Sequence, residues 1–212
     1  MIITLNEKEE RKADKSLYSY QKGAISKIFD SFENSREDYH LLYQLPTGGG
    51  KTVIFSEIVR QYLSNHNKKV LVMTHRIELC KQTSKVLSEF GVENKVIDSK
   101  ANLDDQSKYS CFVAMVETLN NRLNDDKLDI SGIGLVIIDE AHYNSFTKLF
   151  KFFSNSFILG VTATPLSSNI ELPMTDNYDE LIVGESIQDL IKNEFLASAN
   201  MYQFNVGLIS RF

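Results

Sequence analysis

Residues 44–52 read Gln-Leu-Pro-Thr-Gly-Gly-Gly-Lys-Thr, and the rest of the chain makes sense around them. Tyr39 to Leu45 is an aromatic and apolar run with strand character, and Val53 to Leu63 has the mixed spacing of a helix. Three glycines and a lysine therefore sit at a strand-to-helix corner. An anion bound there needs backbone N–H groups turned inward at close approach, and Gly48, Gly49 and Gly50 supply the loose backbone for that, with Thr47 before them in the same candidate nucleotide-binding loop. Lys51 would set an ammonium against the β- and γ-phosphates of a nucleotide, and Thr52 would offer a hydroxyl to Mg²⁺. The N-terminus of the following helix adds its partial positive charge. The strict phosphate-loop pattern has glycine five residues before Gly50, where this chain has Leu45. Taken alone, the stretch also reads as a flexible glycine turn.

Gly134 to His142, GLVIIDEAH, is the second informative stretch. Leu135 to Ile138 is a continuous apolar run of the kind found in a parallel strand buried on both faces. Two carboxylates follow at its C-terminal end, where ligands of open α/β sheets gather. Mg²⁺ between Thr52 and Asp139 would give the buried carboxylate a partner, leaving Glu140 to orient and deprotonate an attacking water. A strand running into an acidic helix N-terminus, with Asp139 or Glu140 as a cap, fits the same residues. The third stretch is Val161 to Pro165, VTATP, after the apolar run Phe157 to Leu159 and Gly160. Small hydroxylated residues at a strand end pass hydrogen bonds between neighbouring loops with little bulk, although an ordinary strand-to-turn exit looks alike.

In this order, GKT at Gly50 to Thr52, DEAH at Asp139 to His142 and TATP at Thr162 to Pro165, the chain resembles the first RecA-like domain of superfamily 2 helicases and translocases. The resemblance covers about Leu17 to Val206. Val70 to Gln82, VLVMTHRIELCKQ, and Val113 to Leu123, VAMVETLNNRL, are most similar to the branch of restriction-enzyme motor subunits and the DNA-repair translocases akin to them. It implies an α/β fold, a mostly parallel RecA-like sheet with helices on both faces. It also implies ATP and Mg²⁺ as ligands, DNA as the partner with RNA as the alternative, and a second RecA-like domain bringing arginine fingers. Leu17, Tyr20 and Gln21 look like the adenine-recognition motif, with Tyr18 where that pattern has arginine; Gln21 would read the base edge and Tyr18 would stack. Thr74 and Arg76, then Thr118 and Arg122, match the two backbone-contacting motifs of the family. A helix cap by Thr74 or Thr118 with surface arginines is the plainer reading. His142, Thr162 and Thr164 would couple the phosphate site to the second domain.

Composition agrees with one globular domain: 212 residues, 42% hydrophobic, three prolines. A net charge of −5 sits awkwardly with nucleic-acid binding, yet Lys68 to Lys85 is locally basic, with Lys68, Lys69, Arg76, Lys81 and Lys85 against Glu78. A solvated helix face explains those lysines equally well. No apolar run suits a membrane span, and the start lacks the order of a signal peptide, so a cytoplasmic protein working on nucleoid or other intracellular DNA is expected. Cys80 and Cys111 form no metal or disulfide framework.

The expected organisation is a charged N-terminal segment 1–16, a nucleotide-binding domain 17–206, and a tail or linker start at 207–212. Tyr20, Ala24, Ile25, Ile28 and Phe32 have helical spacing. Further expectations are a strand at Val70 to Met73, a helix at Ile77 to Phe90 stopped by Gly91, and strands at Val92 to Ile97 and Cys111 to Met115. An exposed loop is expected from Ser167 to Glu180, a short helix at Ile187 to Ile191, and a last strand or interdomain connection at Met201 to Val206. Two functions of different class fit: the ATP-binding lobe of a nucleic-acid motor, or a nucleotide-binding interaction module without useful turnover. A small-molecule kinase has no need of DEAH with TATP.

Overall fold

The computed structural model describes residues 17–36, 38–98, 107–125, 130–166 and 173–198. The charged segment 1–16, the expected strand Met201 to Val206 and the tail 207–212 lie outside the described residues.

The helices are α1 Ser19–Glu33, α2 Lys51–Asn65, α3 Ile77–Glu89, α4 Val116–Asn124 and α5 Ile187–Lys192. The strands are β1 His40–Gln44, β2 Lys69–Thr74, β3 Lys95–Ile97, β4 Cys111–Met115, β5 Ile133–Asp139, β6 Phe157–Thr162 and β7 Glu180–Val183. Two 3₁₀ segments, Asn144–Phe152 and Met174–Asp176, complete the described elements. All seven strands form one sheet in the order β3-β4-β2-β5-β6-β1-β7, and every neighbouring pair is parallel. The α/β expectation, a parallel sheet with helices on both faces, is therefore met.

Strand side chains alternate between two cores, as a period of two requires. Leu41 and Tyr43, Val70 and Val72, Leu135 and Ile137, Leu159 and Val161 join Ile28 of α1, Phe55 of α2 and Leu87 of α3 on one face. Leu42, Leu71, Met73, Val136, Ile138 and Ile158 join Leu119 of α4 and Phe146 and Leu149 of the first 3₁₀ segment on the other. A sheet covered on both sides needs apolar residues at every central position, and all seven residues of β5 are buried.

Strand order places the site. The register sets Gln44 of β1 opposite Thr162 of β6, and Asp139 of β5 opposite Val161 of β6. The glycine loop, the TATP exit and the DEAH exit therefore leave three adjacent strands at the same carboxyl edge. Two elements depart from expectation. Glu180–Val183 pairs in parallel with β1 as an edge strand, and the stretch read as an exposed loop contains Met174, which is buried.

Candidate nucleotide site

Leu45 continues from β1, and its N–H donates to Thr162 O at 3.0 Å. Its side chain is fully buried below the loop. The position where the strict pattern has glycine thus needs none: Leu45 is not among the residues of positive φ, whereas Gly48 (φ 84°) and Gly50 (φ 82°) are. Gly49 is required for space, since a Cβ there would lie 2.8 Å from Leu45 Cγ. Thr47 is exposed and Thr52 half-buried.

Lys51 opens α2 and is only 8% exposed. Its Nζ donates to Leu45 O at 3.3 Å. A buried ammonium resting on one long bond to a neutral carbonyl is poorly compensated, and a phosphate oxygen is the partner its charge calls for. That imbalance, the left-handed glycines and the start of α2 are features that suit a phosphate chain.

Gln21 is 4% exposed in the first turn of α1. Its Oε1 accepts the Tyr18 N–H at 3.0 Å, and its Nε2 lies 3.5 Å from Tyr20 Oη. A Cβ at Gly50 would come within 2.6 Å of that Nε2, so the amide rests on the backbone of the loop. Tyr20 ties the helix to the loop, donating its hydroxyl to Gly49 O at 2.7 Å. Tyr18 is half exposed, its ring near parallel to that of Tyr20.

Asp139 ends β5 and is 8% exposed. Burial pushes its carboxyl up to about 6 and the neighbouring Glu140 pushes the same way, against the opposing pull of Lys51 and the Glu140 N–H. Asp139 and Thr52 offer hard oxygen donors on the loop side of the sheet, the donor chemistry Mg²⁺ takes when phosphates and water complete its shell. Among the described residues no group of three or more His, Cys, Asp or Glu is placed to hold a metal ion. Glu140 has φ 56°, a left-handed backbone that an ordinary side chain adopts at a cost of about 1–2 kcal/mol. The turn is pinned by Ala141 N–H to Val161 O at 2.9 Å and Tyr143 N–H to Glu140 O at 3.2 Å.

His142 Nδ1 lies 3.1 Å from Thr162 Oγ1 and 3.4 Å from Glu140 Oε2. The Thr162 hydroxyl donates to Thr164 O at 2.9 Å and accepts Thr164 N–H at 3.2 Å. Its one proton being used, it can only accept from His142, so Nδ1 carries the hydrogen. Thr164 takes part through its backbone; its residue is exposed.

The Thr74–Arg76 and Val116–Arg122 stretches leave adjacent strands, with Thr74 opposite Met115. Arg76 is exposed, while Thr118 and Arg122 are half-buried on α4. Thr74 is fully buried, its hydroxyl donating to Arg76 O at 3.0 Å and meeting Cys80 Sγ at 2.9 Å. Thr74 therefore has no spare hydroxyl proton for a phosphate, and it is no cap either: the N-cap of α3 is Arg76. Tyr143 lies against both His75 and His142, its ring centroid 4.2 Å from each and tilted by 31° and 37°, and so joins this loop to the DEAH turn. Tyr143 escaped the sequence reading, as did the Tyr20 bond to Gly49 O and the packing of Leu45 under Gly49, because each depends on a contact that no local pattern encodes.

Comparison with known proteins agrees with this architecture. The family model of the type III restriction enzyme res subunit matches residues 14–167. The putative ATP-dependent helicase IRC3 of Saccharomyces cerevisiae is 31% identical over 200 residues, 86% of this chain and 28% of that protein. The ATP-dependent DNA helicase MPH1 of Scheffersomyces stipitis is 30% identical over 151 residues, covering 62% of this chain and 14% of its own. The chain thus spans less than a third of the length of these relatives. Among solved structures, the UvsW helicase from bacteriophage T4 superposes with a TM-score of 0.61 at 21% identity, covering 78% of this chain and 59% of that one. The Pyrococcus furiosus Hef helicase domain gives 0.61 at 22% identity, covering 82% of this chain and 39% of its own. The chain belongs to the family of the type III restriction enzyme res subunit, and its sheet is the first RecA-like domain of the superfamily 2 helicase type.

Proposed function

We propose that this chain is the ATP-binding lobe of an ATP-dependent helicase or translocase, coupling ATP hydrolysis to movement on, or remodelling of, DNA, with RNA as the alternative track. One observation carries the reading: a buried ammonium, Lys51, which opens the helix after β1 and is met by a single carbonyl, and a buried carboxylate, Asp139, which ends β5, follow strands separated only by β6. Names of relatives support the track, since MPH1 is called a DNA helicase.

In this reading the loop amides of Gly48 to Gly50 and the start of α2 bind the phosphates, and Lys51 neutralises charge between the last two. Thr52 and Asp139 would hold Mg²⁺, which offsets further negative charge on the phosphates. Glu140 accepts a proton from water as its oxygen bonds to the γ-phosphorus and the bond to the bridging oxygen breaks, releasing ADP and phosphate. Gln21 and Tyr18 take the adenine. His142, Thr162 and the Thr164 backbone pass the state of Glu140 to the β6 exit. Arg76, Thr118 and Arg122 contact the nucleic-acid backbone, with Thr74 holding the Arg76 loop in place. A second RecA-like domain supplies the arginine that phosphoryl transfer commonly needs, worth on the order of 10³ to 10⁵ in rate. Among the described arginines, Arg36 is paired with Asp38 and Asp179, and Arg60 with Glu57. Such a protein works inside the cell with its DNA; among the described residues no helix is long and apolar enough to cross a membrane.

The test is phosphate release by the 212-residue chain, wild type and Glu140→Gln, with and without single-stranded DNA, duplex DNA and RNA. Slow turnover abolished by Glu140→Gln, with nucleotide binding kept, is expected. Binding without Glu140-dependent turnover under every condition means a nucleotide-binding interaction module instead, and fast turnover by the chain alone removes the second lobe.

A further inference from the structure

The family match ends at residue 167, yet a segment well beyond it returns to the mouth of the nucleotide site. Helix α5 is only six residues long and ends in a left-handed turn, with Glu194 at φ 61°. Phe195 N–H and Leu196 N–H both donate to Leu190 O, at 2.8 and 3.0 Å, and Leu190 is fully buried. Such a turn is the common left-handed helix ending, usually made by glycine, so a glutamate there holds the exit in one direction against a backbone cost of about 1–2 kcal/mol.

That direction is toward the site. The Phe195 ring lies 4.8 Å from Tyr18 and 5.0 Å from Tyr20, tilted by 47° and 51°. Leu196 Cδ1 lies 2.9 Å from where a Cβ on Gly48 would be, so it fills the space that the glycine leaves. The β7–α5 segment thus touches both the tyrosines before Gln21 and the phosphate loop. Phe195 is half-buried and belongs to neither core cluster, while Tyr18 is half exposed. Three aromatic rings, incompletely covered, therefore stand beside a buried side-chain amide and a phosphate loop. A flat ring carrying hydrogen-bonding edges and a phosphate chain, an adenine nucleotide, matches all three features together.

We propose that Phe195 is a base-binding residue, forming with Tyr18 an aromatic wall for the adenine, and that Leu196 anchors this wall to the phosphate loop. The inference rests on the nucleotide reading given above and adds to it a wall from the far end of the chain. Stacking on an aromatic face contributes about 0.5–1.5 kcal/mol beyond area burial, so the face of Phe195 accounts for roughly a two- to tenfold change in affinity.

Calorimetry separates the wall from mere packing by using two probes, ATP and inorganic tripolyphosphate, which has no base. Phe195→Leu keeps apolar bulk and loses the ring; it is expected to bind ATP two- to tenfold more weakly, with tripolyphosphate affinity and thermal midpoint unchanged. Phe195→Tyr restores the ATP affinity. Equal losses for both probes make Phe195 a prop for the phosphate loop and overturn the proposal, as does a Phe195→Leu chain that binds ATP like wild type. A wild-type chain that takes up neither probe removes the nucleotide reading itself and this inference with it, whereas wild-type uptake with an indifferent Phe195→Leu removes the inference alone.

Discussion

His142 and Thr162 are joined by a hydrogen bond of 3.1 Å between Nδ1 and Oγ1, which ties the exit of β5 to the exit of β6. Thr162 is fully buried and its hydroxyl serves three partners, while Thr164 gives only backbone atoms. The two threonines, alike in the sequence, should therefore separate on mutation. Thr162→Val takes the acceptor from the Thr164 N–H and leaves His142 Nδ1 only Glu140 Oε2 at 3.4 Å, and is expected to cost about 1–2 kcal/mol in denaturant unfolding. Thr164→Ala should fall within about 0.5 kcal/mol of wild type. Nucleotide affinity stays unchanged in both, while Thr162→Val loses nucleic-acid stimulation of turnover in a protein carrying both lobes. Equal unfolding curves for the two variants would contradict the network.

Lys51 poses the opposite case, a side chain that serves ligand more than fold. Its buried ammonium is met by one carbonyl at 3.3 Å and by the pull of the Asp139 carboxylate, so an apolar chain of like length removes a desolvation cost and that attraction together. Lys51→Met is expected to unfold close to the wild-type temperature. Its affinity for Mg-ATP should drop by roughly 10- to 100-fold, the scale of a lost charge-assisted hydrogen bond. A variant that binds nucleotide as well as wild type moves the phosphate site elsewhere.

Asp139 makes a pH dependence with a definite sign. Its carboxyl is raised from 3.8 to about 6, mainly by burial, so the folded state holds the proton that the unfolded state releases. Stability from this group is complete below about pH 4 and is lost as pH rises through 6, on the order of 2–3 kcal/mol in all. Asp139→Asn, which mimics the neutral acid, should melt above wild type at pH 7.5 and converge with it below pH 4. Mg-nucleotide binding needs the carboxylate and should weaken as pH falls through 6. A stability gap constant across this range would show that Asp139 does not titrate there.

These side chains show what a linear reading reaches. The apolar runs around Val72, Ile137 and Leu159 announced strands because a sheet covered on both faces leaves no polar positions, and Cys111–Met115 agrees residue for residue. β7 escaped because Leu181 and Val183, exposed at the sheet edge, make too short and mixed a run to stand out. The 3₁₀ segment Asn144–Phe152 escaped because its buried residues Phe146 and Leu149 are too few to set a period. In the site, the three motifs were visible as strings, but their adjacency depends on β6 lying between β1 and β5, which no local pattern encodes. Tyr20 on Gly49 and Phe195 on Tyr18 depend on the same crossings.

Two glycines test whether space or backbone freedom selects the residue. Gly160 lies in β6, two residues before Thr162, and a Cβ there would sit 2.6 Å from Tyr178 Oη and 2.7 Å from Cε1 and Cζ. A rigid, half-buried ring cannot yield as the end of a flexible chain can, so Gly160→Ala must push β6 or the ring aside, an overpacking cost of about 1–3 kcal/mol. Gly23 lies within α1, and a Cβ there would meet nothing within 4 Å. Gly23→Ala only restricts the unfolded chain and improves helix propensity, which should stabilise by about 0.5–1 kcal/mol. Opposite shifts of the urea midpoint are expected, with Gly160→Ala also displacing the Tyr178 ring resonances. If Gly160→Ala is as stable as wild type, the ring does not lie against β6, and the path of the chain from Met174 to β7 needs redrawing.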